Sequence, residues 1–181
     1  LRDASLQFAL GPPDGVINDV EAGGSLRVIA GNTSKLSHYV IAQPRFKTID
    51  DLKGAVIGCL SVDEGTTFIF QEMAARHGLR YPGDYTLDPV GGAPTRWKLL
   101  QEGRIDAGLQ SIPLSTMAED AGFSNLAATF EYIPDYQFTT INADGAWTRA
   151  HAADTTQFLG ALLGATRWMF DHRDASAAIA A

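Results

Sequence analysis

The chain has a single cysteine among its 181 residues, so it cannot form an internal disulfide or a cysteine-rich metal site. Cys59 sits in the apolar run A-V-I-G-C-L-S, which predicts a thiol buried as a small hydrophobic side chain. No apolar run approaches the roughly 20 residues that span a bilayer. Only 19% of the residues are charged, and a net charge of -7 disfavours nucleic acid, which requires a basic face. With 45% hydrophobic residues, the sequence predicts a soluble globular protein.

Motifs for nucleotide binding and for catalysis are also missing. Neither G-x-G-x-x-G nor G-x-x-x-x-G-K-[ST] occurs in the sequence. The four histidines are scattered, with no H-E-x-x-H and no short metal-ligand spacing. Ser61 and Ser111 lack a G-x-S-x-G nucleophile elbow. We therefore predict no metal, no cofactor and no catalytic residue.

Short apolar runs alternate with helical periods, which predicts an α/β fold with a largely parallel sheet. Predicted strands cover residues 6–10, 26–30, 38–42, 55–60, 85–90, 105–109 and 137–142, and predicted helices cover 14–22, 66–77, 94–102, 113–121 and 154–170. Residues 52–123 contain three strand–loop–helix steps, with loops at 61–66, 91–95 and 110–113. Because loops at the carboxyl ends of strands form the ligand crevice of open α/β sheets, these three loops predict one binding cleft.

The first of these loops, D-E-G-T-T, has two interpretations. Asp63 and Glu64 precede a helix, where carboxylates commonly cap free N–H groups, but one of them is also placed to accept hydrogen bonds from a ligand. Arg96 opposes the dipole of the next helix. It either pairs with an acidic side chain of the protein or reaches the cleft, where its guanidinium binds a ligand carboxylate through two parallel hydrogen bonds.

Longer segments resemble a known family. D-D-L-K-G-A-V-I-G, D-E-G-T-T-F and P-T-R-W-K-L-L-Q-E-G-R-I-D-A-G-L-Q-S-I-P resemble the second lobe of type II periplasmic substrate-binding proteins, in the NMT1/THI5-like branch that includes nitrate, sulfonate, taurine and thiamine-precursor binders. D-G-V-I-N-D-V-E-A-G-G-S-L-R-V-I-A-G-N is similar to the end of the first lobe, and F-L-G-A-L-L-G-A-T-R-W-M-F-D to the returning helix.

The resemblance implies two α/β lobes with a small ligand clamped between them and delivered to an ABC-transporter permease by a monomer outside the cytoplasm. Lobe 1 is expected at residues 1–42 and 125–181, lacking its N-terminal part and any signal, and lobe 2 at 43–124. Segments 38–42 and 137–142 are the expected crossings. The implied ligand-binding residues are Asn32, Ser61, Asp63, Glu64, Gly65, Thr66, Arg96 and Ser111, while Pro113 matches the second proline of the family signature.

One departure bears on the ligand. The family's Gly-Ser is Asp63-Glu64 here, and two carboxylates at the mouth of the cleft repel a simple anion unless they turn outward. We therefore expect a small organic solute, carboxylated or heterocyclic, in preference to nitrate or a simple sulfonate.

Two alternative functions remain open. One is an enzyme on the same fold, such as a THI5-type pyrimidine-precursor synthase or a small-acid lyase, and the other is a ligand-sensing domain fused to an output module.

Overall fold

The computed structural model describes Leu1 and residues 5–180. Residues 2–4 and 181, which belong to the predicted lobe 1, lie outside the described residues. The chain is α/β, as predicted, and divides into two compact units. Unit 1 comprises Leu1–Asn32 and Thr139–Ala181, and unit 2 comprises Thr33–Phe138.

Eight strands and eight α-helices follow one another within the described residues. The strands are β1 Phe8–Gly11, β2 Leu26–Thr33, β3 His38–Ala42, β4 Val56–Cys59, β5 Thr86–Pro89, β6 Ala107–Ser111, β7 Ser124–Ala128 and β8 Thr139–Asp144. The helices are α1 Asp14–Glu21, α2 Gly65–Arg76, α3 Ala93–Gln101, α4 Leu114–Asp120, α5 Thr129–Tyr132, α6 Gly145–Ala150, α7 Ala152–Asp171 and α8 Arg173–Ala180.

Unit 2 is built on a five-stranded sheet in the order β5-β4-β6-β3-β7. Strand β4 runs parallel to β5 and β6, whereas β3 runs antiparallel to its neighbours β6 and β7. The core contains fully buried side chains from the sheet and from helices α2 and α3, including Val40, Ile57, Met73 and Leu100. Each such aliphatic side chain contributes about 1.5–3 kcal/mol through burial, so this core fixes the positions of the loops at the sheet edge.

Unit 1 carries a three-stranded sheet in the order β1-β8-β2, with β1 antiparallel to β8. The ring of Phe8 stacks on Phe158 of α7 with centroids 4.1 Å apart. Asp144 caps α6 by accepting hydrogen bonds from the N–H groups of Ala146 and Trp147.

None of the helices that the structure describes is both long and apolar enough to cross a membrane.

The boundary between the units corrects one sequence-based prediction. Strand β3 was expected to cross between lobes, but it pairs with β6 from His38 to Ala42 and with β7 on its other side, wholly inside unit 2. The chain instead enters unit 2 between Asn32 and Thr33, and it leaves between Phe138 and Thr139, inside the predicted segment 137–142. Unit 2 thus spans residues 33–138, where 43–124 had been expected. The error arose because β3 forms its pairs with residues far along the chain.

Candidate functional site

Four strand ends meet at one side of the unit 2 sheet, the side where its parallel strands have their carboxyl ends. We call this side the ligand edge. Strands β4, β5 and β6 end there at Cys59, Pro89 and Ser111. The antiparallel β3 begins at the same edge, since His38 lies opposite Ser111. Helices α2 and α3 start in the loops that leave this edge, so the N-terminal ends of both helices lie there. This arrangement matches the ligand edge of open α/β sheets.

Glu64 caps α2. Its carboxylate accepts the backbone N–H groups of Thr66 and Thr67 at 2.9 Å each, and also the hydroxyls of both threonines. The Thr67 hydroxyl also lies 2.7 Å from the Ser61 carbonyl and ties the helix to the end of β4. The capping interpretation of Glu64 is therefore correct, and its charge is directed at the dipole of its own helix.

Arg96 extends from α3 across the sheet and is 5% exposed. Its Nε donates to the Leu109 carbonyl at 3.1 Å and its Nη1 donates to the Gly91 carbonyl at 2.8 Å. Burial lowers the pKa of the guanidinium, while the nearby Glu64 carboxylate acts in the opposite direction. Among the residues that the structure describes, no carboxylate lies within ion-pair distance of Arg96, and its Nη2 makes no hydrogen bond. Pairing with an acid is therefore not the reason for its position.

The Arg96 side chain lies over two glycines. Gly58 and Gly108 lie side by side in β4 and β6. A Cβ at Gly108 would lie 3.4 Å from Arg96 Cδ and 3.0 Å from the Gly58 carbonyl oxygen, while a Cβ at Gly58 would lie 3.6 Å from the same Cδ. The methylene stem of the arginine thus lies over a strip of bare backbone, which holds the guanidinium at the sheet edge.

His38 is a site residue that the sequence analysis did not single out. Its ring packs edge-on against Phe138 with centroids 5.4 Å apart. Its Nδ1 is shielded from solvent and has no hydrogen-bond partner among the described residues. Burial, together with the positive charge of Arg96, lowers the pKa of His38 to about 4, while Glu64 acts in the opposite direction. The imidazole is therefore neutral near pH 7. No sequence signal marked it, because its neighbours come from distant segments.

The remaining predicted residues divide between the two units. Gly65 and Thr66 form the first turn of α2, and Ser111 ends β6, so these lie at the same edge as Glu64 and Arg96. Ser61 and Asp63 are exposed in the loop before α2. Asn32 belongs to unit 1, where its side chain donates to the Thr139 hydroxyl at 3.1 Å.

A small pocket lies beneath these residues in unit 2. It is lined by Ile57, Gly58, Cys59, Glu64, Thr66, Thr67, Phe70, Leu87, Arg96 and Leu109. Its void of about 10 Å³ holds about one water molecule, so it is too small to be the cavity for an organic ligand. Cys59 is 6% exposed, as predicted, and burial raises the pKa of its thiol. No group of three or more metal-ligating side chains occurs in the described part of the chain.

Comparison with solved structures places the fold among periplasmic solute-binding proteins. The aliphatic sulphonate-binding protein SsuA of Escherichia coli aligns with a TM-score of 0.82 at 18% identity, over 98% of this chain and 57% of SsuA. The alkanesulfonate-binding SsuA of Xanthomonas axonopodis pv. citri, bound to MOPS, aligns with a TM-score of 0.78 at 18% identity, over 96% of this chain and 60% of that one. The desulfurization enzyme DszB aligns with a TM-score of 0.71 at 13% identity, over 93% of this chain and 64% of DszB.

The family follows from the sequence itself. The chain belongs to the NMT1/THI5-like family, whose model matches residues 3–176. No curated protein sequence matches the chain. The chain spans less than two thirds of the length of the solved structures named above.

Proposed function

We propose that this protein is the solute-binding component of an ABC importer. It binds a small organic solute that carries a carboxylate, outside the cytoplasm and as a monomer, and delivers it to a membrane permease. The observation that carries this proposal is Arg96, a buried guanidinium with an unused Nη2 at the ligand edge of the unit 2 sheet. Family membership and the fold support the same class.

A buried arginine without an ion pair requires a physical reason. Burying a charge is unfavourable unless hydrogen bonds and an opposite charge compensate it. Backbone carbonyls of Leu109 and Gly91 hold two of its nitrogens, which fixes the orientation of the guanidinium plane. A ligand carboxylate at Nη2 supplies the missing opposite charge, and charge-assisted bonds of this kind are about twice as strong as neutral ones.

The identity of the anion follows from Glu64. Its carboxylate remains close enough to Arg96 to affect the arginine pKa, so part of the local positive potential is cancelled. A carboxylate facing a bound anion costs on the order of a kcal/mol at an intermediate dielectric. A compact anion such as nitrate offers no further contacts to offset that cost. An organic acid with apolar and polar surface does, so we favour an organic carboxylate. The two SsuA proteins are described as sulfonate-binding, but they are only 18% identical to this chain, and their likeness concerns the fold.

Binding is favoured over catalysis by the state of the side chains at this edge. Burial raises the pKa of Cys59, which disfavours the thiolate that a nucleophile requires. Glu64 is occupied with capping α2, so it is not placed as a general base. An arginine whose guanidinium is fixed by backbone carbonyls can bind a carboxylate without changing it chemically.

Thermal-shift titration tests the proposal with nitrate, taurine, MOPS, benzoate and nicotinate as probes. We expect the two aromatic carboxylates to stabilise the native chain, and a ligand at 100 times its Kd adds about 2.7 kcal/mol to the free energy of unfolding. Arg96→Met removes the guanidinium and should abolish the shift. Arg104→Met removes an exposed arginine just beyond the same helix and is the matched control.

Two outcomes contradict the proposal in different ways. Strong stabilisation by nitrate or taurine alone overturns the ligand class. Stabilisation that survives Arg96→Met but not Arg104→Met places the site elsewhere.

A further inference from the structure

We infer that His38 is a specificity-determining residue of this site, whose Nδ1 forms a hydrogen bond with a second polar group of the bound carboxylate. The inference rests on the proposed function and extends it, because it assigns the ligand a polar atom besides its carboxylate. It is carried by three observations: the unpaired Nδ1, the position of His38 at the ligand edge and the charges that act on it.

The first observation is the missing hydrogen-bond partner. Among the described residues, two shielded side-chain atoms lack one: His38 Nδ1 and the hydroxyl oxygen of Tyr85. An unsatisfied buried polar group costs about 1–3 kcal/mol, so such groups are uncommon in native proteins. A ligand that supplies the partner recovers this free energy on binding.

The second observation is the position of the ring. His38 lies opposite Ser111 at the sheet edge where β4, β5 and β6 end. Its backbone N–H donates to the Thr129 hydroxyl at 3.3 Å, and that hydroxyl also lies 3.1 Å from the His38 carbonyl. These contacts hold the His38 backbone at the end of β3, and the Phe138 ring packs against the imidazole.

The third observation is the charge around the ring. Arg96 and Glu64 are the charged groups that act on His38, and the arginine opposes protonation. A neutral imidazole and a guanidinium together favour an organic acid with two polar groups. Its carboxylate binds Arg96, and a neutral donor or acceptor elsewhere on the ligand binds His38. Nδ1 donates in one tautomer and accepts in the other, so both kinds of polar group must be tested.

Three acids of similar shape separate these possibilities. Benzoate carries the carboxylate alone, nicotinate adds a ring nitrogen that accepts, and 3-aminobenzoate adds an amine that donates. Calorimetric titration of the native chain should show that nicotinate or 3-aminobenzoate binds about tenfold more tightly than benzoate, as expected for one buried hydrogen bond. Which of the two is favoured reports the tautomer.

Variants of His38 then assign that preference to Nδ1. His38→Phe should reduce the tenfold preference to less than about twofold while benzoate binding stays within about threefold. The Asn amide occupies the position of Nδ1 and the Gln amide that of Nε2, so His38→Asn should retain the preference and His38→Gln should lose it. This pair keeps the test decisive if the Phe variant does not fold. Tyr85→Phe removes the other unpaired polar atom and should leave all three affinities unchanged.

Every result bears on the inference. If the acids bind through Arg96 but the native chain shows no preference over benzoate, or if His38→Phe keeps the preference, the inference is wrong while the proposed function stands. If none of the acids binds the native chain, the ligand class of the proposed function is wrong and the role of His38 is rejected with it.

Discussion

The Glu64 carboxylate accepts the backbone N–H of Thr67 at 2.9 Å, which makes a residue of the predicted ligand loop the N-cap of helix α2. The neighbouring Asp63 is exposed and its side chain takes no part in the cap. Two adjacent carboxylates in one loop therefore have different roles, because Glu64 is the one that accepts the N–H groups of the first turn.

We expect Glu64→Ala to lower the free energy of unfolding by about 0.5–2 kcal/mol, because two N–H groups of the first turn lose their acceptor. Urea denaturation followed by circular dichroism measures this change. Asp63→Ala is the matched control and should stay within about 0.5 kcal/mol of the native chain. Equal destabilisation by both variants would show that the cap is not the source of the effect.

The sequence predicted the α/β class and the location of this edge, because strand–helix alternation depends on local periodicity. Helix α7 runs from Ala152 to Asp171, close to the predicted 154–170. Strand β7, with the sequence S-N-L-A-A, was missed because it has little β-propensity and is a strand through its pairing with β3. Tertiary pairing overrode local preference there.

The site was predictable only where a single segment defines it. Residues 61–66 and Arg96 lie at the expected edge, since loops after parallel strands converge. The partners of Arg96 are backbone carbonyls of Leu109 and Gly91, which no residue identity reveals. His38 reaches the edge through a register with Ser111 across 72 intervening positions, and the sequence contains no signal for that register.

Gly108→Ala tests the glycine strip under Arg96. The new methyl group would lie 3.0 Å from the Gly58 carbonyl oxygen, so the backbone of β4 or β6 must shift, and it would lie 3.4 Å from Arg96 Cδ. We expect a loss of about 1–3 kcal/mol in unfolding free energy, as for overpacked cores, together with weaker carboxylate binding. Gly160→Ala in α7, where nothing lies within 4 Å, is the control and should stabilise the chain by about 0.5–1 kcal/mol. Unchanged stability and binding in Gly108→Ala would show that β4 and β6 accommodate the methyl group without shifting Arg96.

Cys59 should be inert to thiol reagents in the folded protein. It is 6% exposed and burial raises its thiol pKa, so both access and thiolate formation are disfavoured. Labelling with a chromogenic disulfide reagent at pH 8 should proceed only as fast as the chain opens, and should become fast in urea. Rapid stoichiometric labelling of the native chain would contradict the buried assignment. A Cys59→Ala variant gives the background rate.

The pH dependence of stability should report His38. Its pKa falls from 6.5 to about 4 on folding, mainly through burial. Between these values the unfolded chain binds a proton that the folded chain does not, so stability decreases as the pH is lowered from 6.5 to 4, by up to about 1.4 kcal/mol per pH unit. Below pH 4 both states are protonated and the contribution of His38 becomes constant. Hydrogen bonds from backbone N–H groups lower the pKa values of Asp51 and Asp84, so the stability that these carboxylates add begins to be lost as the pH falls toward their ordinary value of 3.8, at the acidic end of this window, and this loss is common to all variants of His38. Urea denaturation across pH 4–7 should therefore show a slope that His38→Phe removes and that His172→Asn, at an exposed position, leaves in place. A slope that is identical in all three proteins would show that His38 takes up its proton as readily in the folded chain as in the unfolded one.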